Sequence, residues 1–333
     1  MITALKWPKT AGHILLASSY FLSVNIQASE AEMSFDEYVT TFKSEASNRG
    51  ISVKTINTAF ANVQFKPRAV SADRSQPEQK ITLDEYIPRA VPQWKIKQAR
   101  QKYQKHRVEL ERIGAEYGVQ PRFIVALWGV ESNFGALTGG YSVIDALSTM
   151  AYEGRREAFF RKELMAALTI LDQGHISAKN MKGSWAGAMG QPQFMPSSFL
   201  NYAADGNGDG SKNIWHNEQD VFASAANYLK QAGWNNHYTW GRQVTLTRPI
   251  DAAQFGLKSE QGKTLSQWQE LGVRDLQGYD LPKLNKEINA WLIAPDSPSG
   301  RVYLVYNNYK VLMDWNRSYY FGLAVSTLAD ELK

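Results

Sequence analysis

The stretch FIVALWGVESNFG, residues 123–135, constrains this chain more than any other, because an apolar run of helical character ends on a carboxylate, Glu131. With residues 121–131 helical, Phe123, Leu127 and Glu131 recur at i, i+4 and i+8, so the acid shares a face with core side chains. A carboxyl group held there is partly desolvated. Desolvation disfavours the ionised form and raises the pKa, which suits a general acid working near neutrality. The same placement also fits a partly exposed or salt-bridged Glu at a helix end, since structural ion pairs perturb pKa values too.

The 333 residues, 44% hydrophobic, are enough for two or three packed units and carry no mark of disorder or fibrous repeat. Residues 1–31 differ from the rest: Lys6 and Lys9 precede an uncharged stretch from His13 to Val24, and small residues around Ala28 and Ala31 follow. That order predicts a secretory signal peptide, although Ser18, Ser19 and Ser23 weaken its apolar core; the competing reading is a disordered or amphipathic tail. No later stretch reaches the roughly 18 consecutive apolar residues of a membrane span. The sequence has no cysteine, so it predicts neither disulfides nor a lipoprotein anchor, and a soluble periplasmic protein fits best. Without Lys6, Lys9 and Glu30 the formal net charge falls from +5 to about +4, a mild excess that favours an anionic polymer without demanding one. No basic block of the kind that reads nucleic acid is present.

Along the chain, residues 34–65 predict two short helices, with Gly50 as a stop and the second helix over Ser52 to Asn62. Pro67, Pro77, Pro88 and Pro92 predict an extended connection over 66–93, followed by one long charged helix over 94–117. Residues 121–171 predict two or three helices. The Gly- and Pro-rich stretch GSWAGAMGQPQFMPSS, 183–198, predicts a cleft-forming loop. A helix over Asp220 to Ala232 closes this unit. Beyond Trp234, QVTLTRPI, EINAWLIAP and RVYLVYNNYKVLM alternate apolar and polar residues and predict a small antiparallel β unit. A final helix is expected over Tyr320 to Leu332. The predicted fold is mainly α, of α+β type, divided into a signal peptide (1–31), an N-terminal helical domain (32–118) completed by the C-terminal helix (318–333), a core (119–233), and a β domain (234–317).

Four blocks between 123 and 232 carry a family resemblance: GVESNFG, AYEGRREAFF, GSWAGAMGQPQFMPSS, and DGNGDGSKNIW followed by ANYL. In their order and spacing they resemble the lytic murein transglycosylase B family (soluble periplasmic type, glycoside hydrolase family 103), and the flanking regions look similar to that family as well. The resemblance implies a lysozyme-like catalytic core acting on peptidoglycan glycan strands, with Glu131 as the single acid/base. The acid would protonate the oxygen between N-acetylmuramic acid and N-acetylglucosamine. The carboxylate would then take the proton of the muramic C6 hydroxyl, which closes on C1 as a 1,6-anhydro ring. Water is not consumed, unlike in two-carboxylate glycosidases. Asp145 and Glu153 flank this scheme and read as structural. A hydrolytic muramidase or a silent peptidoglycan-binding scaffold are the alternatives.

Ser184 can hydrogen-bond the acid, and Gln193 can offer both donor and acceptor to a sugar; a helix N-cap and a loop amide are the bland readings. Arg155 and Arg156 suit lactyl or peptide carboxylates, but adjacent residues point apart on a helix, so one of the two is expected to be structural. Phe194 and Met195 belong to a loop that could cover sugar faces, and Tyr228 and Asn316 match cleft positions of the family. Residue 315 is Trp where many relatives have Tyr, which preserves ring stacking while altering hydrogen bonding.

Asp205, Asn207, Asp209, Gly210 and Ser211 fit the first positions of an EF-hand loop. Its twelfth position is His216 rather than Glu, and relatives imply a carboxylate farther on, here Asp220, one residue late. The expectation over 205–220 is a structural Ca²⁺, with Na⁺ as the alternative ion and an ion-free Asx- and Gly-rich turn as the competing view. No organic cofactor is expected. Glycan strands are the expected partner, with wall-synthesis proteins a further partner class that the residues leave open; nothing points away from a monomer.

Overall fold

The protein is described by a computed structural model over residues 33–75, 81–284 and 286–333; the predicted signal segment lies outside these residues. Helix α1 (Phe35–Asn48) stops ahead of Gly50, whose φ of 88° only glycine adopts freely. Ser52 caps α2 (Val53–Phe60) by accepting from the Thr55 N–H. The predicted extended connection is largely helical: α3 (Pro67–Arg74) and α4 (Leu83–Ala90) occupy it. Pro67 starts α3, where a missing N–H costs nothing, and Pro88 sits near the end of α4.

The predicted long charged helix is two, α5 (Gln93–Lys105) and α6 (Arg107–Tyr117). The chain turns at His106, whose ring lies edge-on to Trp128 and Phe222. Tertiary packing, which the charge pattern does not encode, sets the break. Next come α7 (Pro121–Ser132), strand β1 (Tyr141–Ser142), α8 (Val143–Glu153), α9 (Glu157–Asp172), β2 (Lys182–Gly183), α10 (Pro196–Tyr202) and α11 (Glu218–Gln231). β1 and β2 pair antiparallel, Tyr141 opposite Gly183 and Ser142 opposite Lys182.

The β unit is built from β3 (Gly241–Leu246), β4 (Lys263–Thr264), α12 (Leu265–Glu270), β5 (Val273–Arg274), β6 (Asn289–Ile293) and β7 (Val302–Val305). Its five strands run antiparallel in the order β4-β6-β7-β3-β5. Trp268, Val273, Leu292 and Leu304 fill its own small core. The run RVYLVYNNYKVLM is a strand only over its first half. From Asn307 to Trp315 it is helix α13, with Asn308, Tyr309, Val311 and Leu312 buried at helical spacing. Helix α14 (Tyr319–Asp330) follows and packs against α7 and α4. The main core runs through the helices from α1 to α14. The mainly α fold with a small antiparallel sheet is therefore what the chain adopts. Among the described residues no helix is long and apolar enough to cross a membrane.

Candidate active site

Helix α7 is buried from Phe123 to Gly129 and packs against α5, α6, α11 and α14. Gly129 makes this possible: a Cβ there would lie 2.7 Å from the Phe134 ring and 3.0 Å from Leu328. Just after Glu131 the chain reverses through Asn133, Phe134 and Gly135, at φ of 49°, 58° and 83°. A bulky residue such as Phe134 in the left-handed region costs on the order of 1–3 kcal/mol and persists only when its surroundings over-determine it. Here Phe134 is buried edge-on to Trp128, 5.4 Å between centroids, and the Gly135 N–H donates to Ser132 Oγ at 3.0 Å. The end of α7 that carries Glu131 is thus clamped.

Glu131 accepts one hydrogen bond among the described residues, 2.6 Å from the indole N–H of Trp315 at the end of α13. The Trp315 ring stands 5.3 Å from Phe194 and 4.7 Å from Tyr228, and Tyr228 lies 4.5 Å from Tyr202. Burial in these aromatic surroundings pushes the Glu131 pKa up to about 7, and the Trp315 N–H, which favours the ionised form, partly opposes it. Among the described residues no acidic side chain contributes to that shift. Burial likewise pushes the Tyr228 hydroxyl up to about 12. Indole donates and never accepts, so Oε1 is the accepting oxygen, and Oε2 makes no hydrogen bond among the described residues.

The loop after β2 is laced by backbone bonds: Met189 and Phe194 exchange N–H···O bonds of 2.7 and 3.0 Å, and Ser184 donates its N–H to the Ala188 carbonyl at 2.8 Å. Ser184 makes no hydrogen bond to Glu131, contrary to expectation. Its Oγ instead accepts the N–H groups of Ala186 and Ala188, a local turn that outcompetes a longer reach. Gln193 sits at φ 52°, and its amide nitrogen donates to the carbonyls of Thr138 (3.2 Å) and Gly190 (2.8 Å). Both partners are obligate acceptors, so the Gln193 side chain presents only its carbonyl oxygen, not both functions. Phe194 is buried among Trp315 and Tyr228 rather than lying open as a cover for sugar; Met195, at the start of α10, is partly exposed.

Arg155 and Arg156 both donate to the buried carboxylate of Asp73 in α3, Arg156 at 2.6 Å. Their side chains remain about half exposed, at 53% and 44%. The expected split between one ligand-facing and one structural arginine is not what the chain does, because a single carboxylate accepts from both guanidinium groups. Asn316 caps α13 by its backbone N–H and is exposed one residue beyond Trp315. Asp145 pairs with Lys66 at 3.1 Å and Glu153 with Arg74 at 2.7 Å, which are structural contacts.

Loop 205–220 is bonded to itself. Asp205 accepts the N–H groups of Gly208, Asp209 and Gly210; Asp209 accepts those of Ser211 and of the Asn207 amide. Asp220 is fully buried and uses one oxygen for Gly206 N–H (2.8 Å) and the other for Asn213 N–H (2.7 Å). Among the described residues no three acidic or histidine side chains converge as a metal cluster. The loop as folded is closed by its own hydrogen bonds, with Asp220 joining Gly206 to Asn213.

Two residues that hold the site carry little local signal. Gln191 is buried, accepting from Trp128 Nε1 at 2.7 Å and donating to the Trp215 carbonyl at 3.0 Å, which ties α7 to the loop. Asp73 lies in a segment that reads as a connection. Alternation within GQPQF is the only hint of Gln191.

The sequence signature of the transglycosylase SLT domain matches residues 34–330. The membrane-bound lytic murein transglycosylase B of Escherichia coli is 34% identical over 218 residues, which cover 65% of this chain and 58% of that relative. The crystal structure of SltB3 from Pseudomonas aeruginosa in complex with NAG-anhNAM-pentapeptide superposes with a TM-score of 0.86 at 39% identity, over 90% of this chain and 79% of that one. The E. coli lytic transglycosylase Slt35 in complex with calcium superposes with a TM-score of 0.77 at 26% identity, over 89% and 92%.

Proposed function

The chain belongs to the transglycosylase SLT domain family, and from that premise we propose that it cleaves peptidoglycan glycan strands between N-acetylmuramic acid and N-acetylglucosamine, leaving 1,6-anhydromuramic ends. The observation that carries this reading is Glu131: a carboxyl raised to about 7 by burial, oriented by one indole N–H, with no second acid acting on it. A group with that pKa is substantially protonated at neutral pH, so it can give its proton to the leaving sugar oxygen and, as carboxylate, take one back.

Oε2, the oxygen left free by Trp315, donates to the glycosidic oxygen as the C1–O bond breaks. The same oxygen then accepts the proton of the C6 hydroxyl as its oxygen bonds to C1. No proton is gained or lost overall, and no water enters. The Gln193 carbonyl suits the N–H of an acetamido group, whose own oxygen would steady the charge at C1. Tyr228, Met195, Asn316 and Ser184 are assigned to the walls of the same cleft, Phe194 to the packing that seats Trp315, and Arg155 and Arg156, held by Asp73, to its rim.

Export to the periplasm is part of the proposal, supported by the pattern of residues 1–31 and by the substrate. For loop 205–220, a calcium ion like that held by the similar Slt35 structure is proposed only as an added brace, since the loop's hydrogen bonds already close it. The test is digestion of purified peptidoglycan: this function predicts soluble fragments without new reducing ends, whereas reducing muramic acid would make the protein a muramidase.

A further inference from the structure

Beside the outer rung of the β1–β2 ribbon lies a hollow of about 710 Å³, walled by Asn57, Asn62, Ser142, Asp145, Lys179 and Lys182. Its volume is that of a small-ligand site, and of its polar groups Ser142 Oγ is used locally, accepting the Asp145 N–H at the start of α8. Asp145 is already taken, accepting from Lys66 Nζ and from the Gln64 N–H. The side chains of Lys179 and Lys182 are exposed and form no ion pair among the described residues, so two cations face the hollow uncompensated. The Asn57 and Asn62 amides add N–H donors. A concave site with two unpaired ammonium groups and amide donors is built for carboxylates.

The hollow is joined to the acid by a continuous ladder. Ser142 and Lys182 form the rung next to Tyr141 and Gly183; Gly183 bridges to Met189 and Met189 to Phe194. Phe194 stands against Trp315, which holds Glu131. Three strand spacings separate Tyr141 from Phe194, on the order of 15 Å, and the Trp315 ring that holds Glu131 lies 5.3 Å beyond Phe194. A peptide of five residues, with the lactyl arm that joins it to the sugar, spans about that distance when extended.

We propose that this hollow is a carboxylate subsite for the peptide carried by the sugar at Glu131, with Lys179 and Lys182 as its anchors. The assignment rests on the reading of Glu131 given above, because only a glycan lying in that cleft places its peptide along the ladder. The substrate class that follows is a strand whose peptides keep free carboxylates, in preference to amidated or peptide-free strands.

The experiment compares the wild type with a Lys179→Gln/Lys182→Gln double variant on glycan strands that bear peptides and on strands stripped of them by an amidase. The ratio of kcat/KM values, peptide-bearing over stripped, should fall about tenfold in the variant, the equivalent of about 1.4 kcal/mol. An unchanged ratio overturns the subsite. Calorimetric titration with a muramyl pentapeptide and its amidated form gives a reading independent of turnover. The wild type should favour the free acid, increasingly so at low salt, and the variant should lose that preference; equal affinity for both forms in the wild type also overturns it. Failure of the Glu131 reading looks different: no anhydro products from either strand, with the binding preference intact.

Discussion

Trp315→Phe isolates the one polar contact made to the acid. The substitution keeps an aromatic ring beside Phe194 and Tyr228 and deletes only the 2.6 Å indole bond to Glu131. A hydrogen bond to a charged group is worth about 1.5–3 kcal/mol, and 1.36 kcal/mol corresponds to one pKa unit. The bond stabilises the carboxylate, so its loss raises the pKa from about 7 by roughly one to two pH units. The assay is a pH profile of glycan cleavage. The first step needs the protonated acid, so the alkaline limb of kcat/KM should move to higher pH by that amount. At the same time the freed carboxyl can rotate, either oxygen can carry the proton, and kcat at the optimum should drop. Trp315→Tyr should restore part of kcat, because a phenol also donates. An alkaline limb that stays in place, or moves to lower pH, would refute the assignment of Trp315 as the group that orients and partly ionises Glu131.

Glu131→Gln should be more stable than the wild type at pH 8 by about 2–3 kcal/mol, because the wild-type carboxyl, ordinarily near 4.5 and raised to about 7 in the fold, must ionise while buried. With the folded pKa the higher one, wild-type stability falls as pH rises from about 4.5 to 7 and then levels, so urea midpoints of the two proteins should converge below that window. In loop 205–220, Asp220→Ala strips two buried N–H groups of their acceptor and should cost several kcal/mol, at about 1–3 for each orphaned donor. Asp209→Ala, on the exposed side of the loop, should cost less; its loss should grow in calcium-containing buffer if the ion adds the proposed brace, and thermal scans with calcium or chelator measure the difference.

The parts of this protein that its sequence announces are those set by local periodicity. Helix α7 and the partial burial of Glu131 follow from spacing within one dozen residues, and Ser52 and Gly50 mark real helix ends. The division of 94–117 into two helices depends on His106 meeting Trp128 and Phe222, which no pattern within that segment encodes. Helix α13 was hidden because aromatic and β-branched residues alternate through 302–312 and suit a strand equally well; burial at 308, 309, 311 and 312 is decided by what α13 packs on. Pairings between remote residues were out of reach. Arg155 and Arg156 meet Asp73 across some 80 positions, and Trp315 meets Glu131 across 184. Ser184 illustrates the opposite failure: a hydroxyl free to reach the acid on paper finds nearer N–H partners in its own turn.

The most direct test of the account is mass spectrometry of the muropeptides released from purified peptidoglycan by the wild type and by Glu131→Gln. The account predicts fragments lighter by one water than hydrolytic products, and none from the variant although it remains folded. Fragments that have gained water, or anhydro products from Glu131→Gln at the wild-type rate, would contradict a single half-buried carboxyl acting as both acid and base.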